Sequence, residues 1–458
     1  MPKKTILIVT TISSFLTPFM GSAINIALPA MGKELNMNAI MLGWVATSYL
    51  LAAAVFLLPF GKLADRNGRK HLFLTGIILF GIASALTSLA FNSWVLIAAR
   101  VLNGAGGALI YATALAILTS AYPKEERGKV LGINVASVYL GLSLGPTLGG
   151  LLTMYFGWRS IFAFTSLLSV IILILAGRSL EADKKSASEL PFDINGSVIY
   201  GLSLALFIYG FPSLPSLNGI VPVVAGITGL IYFVTIENNA ADPLLNLGLF
   251  KKNQVFIFSN LAAFINYSAT FALVFLLSLF LQQVKKMSPA EAGLVLMAQP
   301  VVMTLLSPLA GKLSDRIEPA IVASAGMAIT VAGLAAFAFI TAESSIVLII
   351  ALLMLLGLGF ALFSSPNTNA VMSSVKLPQY GIASATLGTM RLTGQTMSMG
   401  ISMLIFSVLL GKTDPGIHNS AGLLRSIHIA FIVFSLLCLA GTFFSMKRGS
   451  LRTGEDHA

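Results

Sequence analysis

The chain contains fourteen apolar runs, each long enough to cross a lipid bilayer. A spanning helix needs roughly 20 apolar residues, because in hydrocarbon only hydrogen bonds within the helix satisfy the peptide groups. Of the 458 residues, 56% are hydrophobic and 10% are charged, whereas soluble domains contain about 25% charged residues. We therefore expect an all-α polytopic membrane protein. The runs lie near residues 5–31, 40–62, 71–91, 94–120, 128–154, 160–178, 194–212, 219–237, 254–282, 290–312, 319–341, 345–373, 380–411 and 422–446.

The positive residues predict how these runs are oriented. Twenty Lys and Arg residues fall in segments on the same side as the N-terminus, and five fall in segments on the other side. Because cytoplasmic loops are enriched in Lys and Arg, both termini of this multi-pass protein are expected in the cytoplasm, with the spans in the cell membrane. This bias also explains the net charge of +11 without a nucleic-acid partner. With Cys438 as its single cysteine, the chain has no disulfide framework, and no spacing of ligands predicts a metal site.

A short charged motif occurs twice. The segment 61–70 follows the second run, and a truncated copy at 311–316 follows the tenth, so each copy follows the second run of a six-run block. This arrangement predicts two related halves. The expected domains are an N-terminal six-helix bundle (1–180), a linker with two extra spans (181–253), a C-terminal six-helix bundle (254–446) and a cytoplasmic tail (447–458). The motif residues of interest are Gly61, Asp65, Arg66, Gly68, Arg69, Lys70, Asp315 and Arg316.

The first copy of the motif resembles the signature loop of the major facilitator superfamily. Arg100 and Asn103 lie in a segment similar to the superfamily's fourth-helix motif, although Asn103 replaces the usual glutamine. The fifth run resembles the antiporter motif of the fifth helix. Together with the fourteen runs and the segment 25–29, these motifs make the whole chain similar to the fourteen-helix drug:proton antiporter branch. The residues that match the antiporter motif are Gly141, Gly145, Pro146, Gly149 and Gly150.

The resemblance implies a fold, a mechanism and a function. It implies two six-helix bundles with two inserted helices, a cavity between the bundles and alternating access from the two sides. The charged loop and the fifth-helix bend would control the conformation, and Arg100 would take part in coupling. The implied function is proton-coupled export of lipophilic or amphipathic molecules, with the proton gradient as energy source and no cofactor. We expect a monomer that contacts its substrate and membrane lipids.

The chain departs from this branch in its acidic residues. The branch commonly carries an aspartate five residues before the position of Asn25, where this chain has Met20. All seventeen acidic residues lie in loops, in tails or at the ends of runs. A buried carboxylate is the usual group that binds a proton or a lipophilic cation within a membrane. The alternative function is therefore transport of a lipid or an anionic amphiphile or metabolite.

The polar residues at mid-depth are the candidates for a substrate cavity, although packing between helices would explain each of them equally well. Arg391 is expected near the middle of its run, where it could bind an anionic group or act in gating. The full candidate set is Met20, Asn25, Asn103, Tyr139, Asn266, Tyr267, Gln299, Arg391 and Gln395. No phosphate-binding loop, catalytic constellation or channel filter is present, which argues against an ATPase, an enzyme or a channel. A receptor or scaffold built on a transporter fold remains a further alternative.

Overall fold

The computed structural model of the protein describes residues 3–122, 124–179, 192–240, 243–245, 248, 250, 253–376, 379–410 and 420–449. The side chains at 65, 119, 124, 125, 127–129, 131, 132, 178, 179 and 381 are outside this description. Within the described residues, fourteen helices are long and apolar enough to cross a membrane, and the all-α polytopic prediction is confirmed.

The fourteen helices are numbered in chain order, and the predicted runs match them to within a few residues at most ends. The ninth and tenth helices are interrupted, after Thr270 and after Leu296 respectively. The bounds are α1 Lys3–Leu35, α2 Ala39–Asn67, α3 Arg69–Ser88, α4 Ser93–Ala121, α5 Lys124–Phe156, α6 Arg159–Ser179, α7 Ile194–Ser213, α8 Leu217–Glu237, α9 Gln254–Val284, α10 Pro289–Arg316, α11 Pro319–Phe337, α12 Ile346–Ser373, α13 Tyr380–Leu409 and α14 Ser420–Met446.

Polar residues in the short connections fix where several helices begin. The Asn38 side chain accepts a hydrogen bond from the Met41 N–H at 2.9 Å, and Asn92 caps α4 in the same way. Such caps satisfy backbone donors that have no partner within the helix. Gly68 forms the joint between α2 and α3 with φ at 98°, a conformation that favours glycine. The connections are therefore short and geometrically defined.

The two halves repeat one packing scheme. In the N-terminal half α1 packs against α5 and α6, α4 packs against α2 and α3, and α3 packs against α6. In the C-terminal half the helices eight positions later pack in the same pairs, α9 with α13 and α14, α12 with α10 and α11, and α11 with α14. The contacts between the halves follow the same correspondence. Helix α2 meets α13, and the helices that correspond to them in the other half, α10 and α5, also meet. The repeat read from the sequence therefore corresponds to two bundles of equivalent topology.

The two inserted helices form a hairpin that lies on the contact between α2 and α13. Helices α7 and α8 pack against each other, and α7 also contacts α2. The Tyr200 hydroxyl donates a hydrogen bond to the Ala54 carbonyl of α2 at 3.1 Å and also contacts Thr393 of α13. The end of α7 touches α13 as well, because Phe211 lies against Gly400. The hairpin is therefore in contact with both halves along one seam.

One residue of the predicted tail 447–458 is packed into the C-terminal bundle, and residues 450–458 lie outside the described part of the chain. Arg448 is 1% exposed and donates hydrogen bonds to Asn367 Oδ1 at 3.0 Å, to Ser259 Oγ and to the Ser445 carbonyl. Burial lowers the pKa of Arg448 to about 10, so the guanidinium stays charged at neutral pH. Arg448 therefore joins the end of the last helix to α9 and α12.

Large apolar side chains cover the outside of the bundles. Val347, Phe156 and Trp94 are each more than 70% exposed, which would be unfavourable in water but suits a lipid environment. We call the side of the bundles that holds the connection at 67–69 the motif side, and the side that holds 36–38 the opposite side. The positive residues predict that the motif side is cytoplasmic.

Candidate functional site

The two bundles are joined near the opposite side. The Ser278 hydroxyl of α9 donates to the Asn25 carbonyl of α1 at 2.6 Å, and Gln282 donates to the Ile26 carbonyl at 2.9 Å. Met403 of α13 lies in contact with the backbone of α2 at Gly43. These contacts hold α1 and α2 against α9 and α13, so the described conformation is closed toward the opposite side.

Helix α5 lies between α1 and α10, and the glycines of the predicted antiporter motif are divided between these two contacts. Cβ atoms added at Gly141, Gly145 and Gly149 would stand 2.6–2.8 Å from atoms of α1. These three glycines are spaced four residues apart and allow the two backbones to approach closely.

The remaining residues of the motif face the other half. A Cβ at Gly150 would stand 2.5 Å from the Pro289 carbonyl oxygen, and a Cβ at Gly293 would stand 2.2 Å from the Pro146 carbonyl oxygen. The Thr147 hydroxyl also contacts the Met297 sulfur at 3.1 Å. Two glycines, one from each half, therefore permit the closed contact between α5 and α10.

In the first copy of the charged motif, the glycines differ in their surroundings. Gly68 needs its positive φ, whereas a Cβ at Gly61 would meet only the Ala112 Cβ at 4.0 Å. Gly61 therefore does not bring two helix backbones close together in this conformation. Arg69 donates to the Ala116 carbonyl of α4 at 3.5 Å.

The other charged residues of the two copies lie at the surface of the motif side. Arg66 is half-buried and Lys70 also lies at intermediate depth, while the Asp65 side chain is outside the described residues. In the second copy, Asp315 and Arg316 are exposed. Asn369 of α12 donates a hydrogen bond to Asp315 Oδ1 at 3.4 Å.

Arg100 is enclosed within the N-terminal bundle. Its side chain is fully buried, with Nε donating to the Val45 carbonyl at 3.1 Å and the guanidinium 4.5 Å from the Tyr49 ring centroid and 6.0 Å from that of Phe162. A cavity of about 10 Å³ beside it is also lined by Phe271 of α9. A cation within hydrocarbon is stabilised by aromatic faces and a carbonyl acceptor. Arg100 therefore connects α4 with α2 and α6.

Arg391 occupies the space between the two bundles, together with three tyrosines. Its Nη2 donates to Thr368 Oγ1 at 2.6 Å, and its guanidinium lies 5.7 Å from the Tyr267 ring centroid. From the N-terminal half, the Tyr111 hydroxyl faces the guanidinium within hydrogen-bonding reach, and Tyr139 lies close enough to interact electrostatically. In the described part of the chain Arg391 forms no salt bridge. The site combines one cation, aromatic rings and hydroxyl groups from both halves.

The interruption of α9 lies close to this site. The α-helix is interrupted at 271–272, where the Ala272 N–H donates a hydrogen bond to Ser398 Oγ at 3.0 Å. Asn266, one residue before Tyr267, is fully buried, and neither its amide nitrogen nor its amide oxygen has a hydrogen-bond partner. Discontinuous helices near the middle of the bilayer are typical of substrate sites in transporters.

The other predicted cavity residues are placed differently. Asn103 is fully buried between α3 and α4, where its amide donates to the Phe80 carbonyl and to Ser84, so its prediction as a cavity residue is wrong for this conformation. Met20 and Asn25 are buried in α1, Gln299 is buried in α10, and Gln395 is half-buried in α13. Only Tyr139, Tyr267 and Arg391 are brought together at the central site, with Asn266 beside them.

Tyr111 and Thr368 complete the central site, although the sequence did not predict either of them as a cavity residue. Both are ordinary residues within apolar helices, and neither belongs to a motif. A Cβ added at Gly388 would lie 3.5 Å from the Tyr111 ring, so this tyrosine closely approaches α13. The signal in the sequence that could have indicated these two residues is the placement of polar side chains along one face of α4 and one face of α12.

Comparison with known proteins now identifies the family. The family model of the Major Facilitator Superfamily matches residues 10–259 and 259–453. The chain belongs to the major facilitator superfamily. Solved structures with a similar fold include the crystal structure of a bacterial homolog of the human lysosomal transporter Spinster, with a TM-score of 0.73, 15% identity and coverage of 97% of this chain and 96% of the other.

Relatives within this superfamily are transporters of different molecules. The chain is 32% identical to the riboflavin transporter RibZ of Clostridioides difficile over 97% of this chain and 98% of that protein. It is 29% identical to the multidrug resistance protein Stp of Mycobacterium tuberculosis, over 89% of this chain and 76% of Stp. It is 30% identical to the cephamycin export protein CmcT of Amycolatopsis lactamdurans, over 95% of this chain and 90% of CmcT. This superfamily member is therefore a membrane transporter of small molecules and not an enzyme.

Proposed function

We propose that this transporter carries a flat aromatic molecule with neutral or negative charge across the cell membrane, by alternating access between its two bundles. The observation that carries this proposal is the central position of Arg391, which faces Tyr111, Tyr139 and Tyr267 and forms no salt bridge in the described residues. The substrate would bind at this site, which is built from both halves.

The chemistry of the site favours some ligands over others. The guanidinium of Arg391 can donate hydrogen bonds to carbonyl or anionic oxygens, and the tyrosine rings can stack on a flat aromatic system. A lipophilic cation would be repelled by the guanidinium, and this repulsion is strong where the dielectric constant is low. Riboflavin is a flat, uncharged molecule with carbonyl groups at one edge, and one relative is named as its transporter. A flavin is therefore the first substrate to test.

The other predicted residues receive roles in the transport cycle under this proposal. Release toward the opposite side requires α5 and α10 to separate at Gly150 and Gly293. The segment 61–70, with Asp315 and Arg316, would stabilise one end state at the motif side, which the proposal places in the cytoplasm. Arg100 would transmit movements of α2 to α4 and α6, since it contacts all three helices.

A second candidate function is proton-coupled export of lipophilic drugs. Relatives named as multidrug resistance or antibiotic export proteins, together with the glycine-rich contact between α5 and α1, favour it. The two candidates differ in the charge of the substrate, and a transport assay separates them.

The test uses the purified protein in proteoliposomes with and without an imposed pH gradient. Uptake of riboflavin, its anionic phosphate ester and cationic ethidium is followed by fluorescence. We expect saturable transport of a flavin and little transport of ethidium. Replacing Arg391 by alanine removes a charged donor worth about 1.5–3 kcal/mol, which corresponds to a loss of roughly 10- to 150-fold in apparent flavin affinity.

The matched control is Arg425→Ala, because Arg425 is an exposed arginine near the start of α14, outside the site. It should leave flavin affinity within about twofold of wild type. Tyr267→Ala should weaken flavin binding, since it removes the ring beside Arg391. Efficient ethidium transport that persists in Arg391→Ala would refute the proposed substrate class and support drug export instead. Dependence of the rate on the pH gradient would support proton coupling for either substrate.

A further inference from the structure

At the motif side, two acidic residues meet at the base of the inserted hairpin. Asp193 precedes α7 and accepts a hydrogen bond from the Gly196 N–H through Oδ1 at 2.8 Å. Glu237 ends α8 and accepts a hydrogen bond from the Leu245 N–H through Oε2 at 3.0 Å. One oxygen of each carboxyl group is therefore occupied by a backbone donor.

The second oxygens of the two carboxyl groups face each other. A Cβ added at Gly196 would stand 2.2 Å from Asp193 Oδ2 and 2.8 Å from Glu237 Oε1, so both oxygens converge on this glycine. The two carboxyl groups are in hydrogen-bonding contact. Both oxygens are buried and no described group donates to either of them. The whole Glu237 side chain is only 2% exposed, so water can replace little of the missing donor.

An ionised carboxylate can only accept hydrogen bonds. Two ionised groups in this position would repel each other and leave two buried acceptors without a donor. A single proton removes both problems, because a protonated carboxyl group donates to its neighbour, as in other carboxyl pairs that share one proton. We propose that Asp193 and Glu237 form a carboxyl pair that binds one proton between the inserted hairpin and the N-terminal bundle.

One described cation faces the carboxyl pair from the neighbouring helix. Lys62 of α2 donates through Nζ to the Pro243 carbonyl at 2.8 Å and attracts the Glu237 carboxylate electrostatically. Helices α7 and α8 contribute Asp193 and Glu237 themselves, and the segment 243–245 contributes backbone groups. Lys62 belongs to the charged loop of the family, at 61–70. Loss of the proton increases the negative charge of the carboxyl pair and so strengthens its attraction for Lys62.

Proton occupancy would in this way change how firmly α2 is held to the hairpin. Because the hairpin also contacts α13, this change acts on the seam where the two halves meet. The carboxyl pair supplies a protonation site that the middle of the described helices does not offer. Its effect on transport rests on the proposed function, whereas its binding of a proton does not.

Infrared spectroscopy of the purified full-length protein tests proton binding directly. A protonated carboxyl group gives a C=O stretching band that is distinct from the bands of carboxylates. In wild type we expect such a band to disappear as the pH is raised through a range well above the usual carboxyl pKa of about 4. Glu237→Gln and Asp193→Asn should each remove it. Both amides can donate the hydrogen bond that the proton provides, so both variants should fold.

The control is Glu343→Gln, because Glu343 is an exposed carboxyl group in the connection between α11 and α12. It should leave the band unchanged. Lys62→Gln removes the positive charge that favours the ionised carboxyl pair, so the midpoint of the titration should move to higher pH. A wild-type spectrum without this band, or a band that persists in both Glu237→Gln and Asp193→Asn, would overturn the proposal.

A transport measurement separates this inference from the proposed function. In Glu237→Gln, accumulation driven by a pH gradient should fall at least tenfold, whereas exchange of substrate across the membrane without a gradient should continue. Unchanged accumulation in this variant would refute a role of the carboxyl pair in coupling. If the wild-type protein moves no flavin and no drug, the proposed function fails, and the infrared titration still decides whether the carboxyl pair binds a proton.

Discussion

The contact between Gly293 and Pro146 allows a quantitative test of alternating access. An alanine Cβ at position 293 would stand 2.2 Å from the Pro146 carbonyl oxygen, a backbone atom of the other half. Since ordinary contacts are longer than about 3 Å, α5 and α10 would have to separate by about 1 Å. Overpacking of this kind costs about 1–3 kcal/mol. The cost falls only on conformations in which the two halves are closed at the opposite side of the bundles, where α5 meets α10.

The expected result of Gly293→Ala is a shift of population toward conformations that are open at the opposite side. A penalty of 1–3 kcal/mol changes the ratio of open to closed molecules by about 5- to 150-fold, since 1.4 kcal/mol corresponds to tenfold. Alanine also raises helix propensity relative to glycine by about 1 kcal/mol, but α10 is helical in either conformation, so this gain does not alter the ratio. Transport should slow, because closure at this side becomes unfavourable.

Distances between spin labels measure this shift. Phe91 and Phe339 lie in connections of the two different halves at the opposite side and are 76% and 81% exposed, so cysteines at both positions can be labelled. The single native cysteine, Cys438, is buried and can be replaced by alanine. We expect Gly293→Ala to add a population at longer distance.

The matched control is Gly177→Ala, where a Cβ meets no atom within 4 Å. It should leave both the distance distribution and the transport rate unchanged. An unaltered distance distribution in Gly293→Ala, with a transport rate within about twofold of wild type, would show that the contact between α5 and α10 does not form part of a gate.

Four further substitutions test other parts of the fold. Gly68→Ala should destabilise the joint of α2 and α3 by about 1–2 kcal/mol because of its φ of 98°, and transport should decrease, whereas Gly61→Ala, which has space for a Cβ, should remain active. Arg100→Lys should lower the thermal unfolding midpoint and the transport rate together, because an ammonium group cannot stack on two rings as a guanidinium does. Arg448→Ala should reduce the free energy of unfolding by about 2 kcal/mol, since it leaves the Asn367 acceptor without its charged donor. Because the pKa of Arg448 is about 10 in the folded protein, this residue should not make stability depend on pH between about pH 6 and 8. Thermal unfolding of wild type and Arg448→Ala at several pH values checks both expectations.

The central site could be predicted only in part. Arg391 and Tyr267 were recognisable because a charged or polar group in the middle of an apolar run is unusual. Asn103 met the same criterion but is turned toward α3, where it bonds to Phe80 and Ser84. The depth of a residue in the membrane follows from its position along the run, whereas the neighbour that it faces depends on helix rotation and packing.

The acidic residues show a related difference. Position along the chain correctly placed Glu237 at the end of a span. It did not predict that this residue would be buried against Asp193, more than forty residues earlier, because the contact requires α7 and α8 to return to the same side and pack together.

The amino-acid sequence alone was sufficient to predict the membrane environment, the fourteen spans, the repeat of the two halves and the membership of a transporter family. These properties follow from local hydropathy and from short contiguous motifs. The packing of the helices was needed to show which polar groups meet between the bundles, where the inserted hairpin lies and which glycines of α5 face the other half. Such contacts join residues that are distant in the chain, and they depend on how each helix is rotated and how closely its neighbours approach.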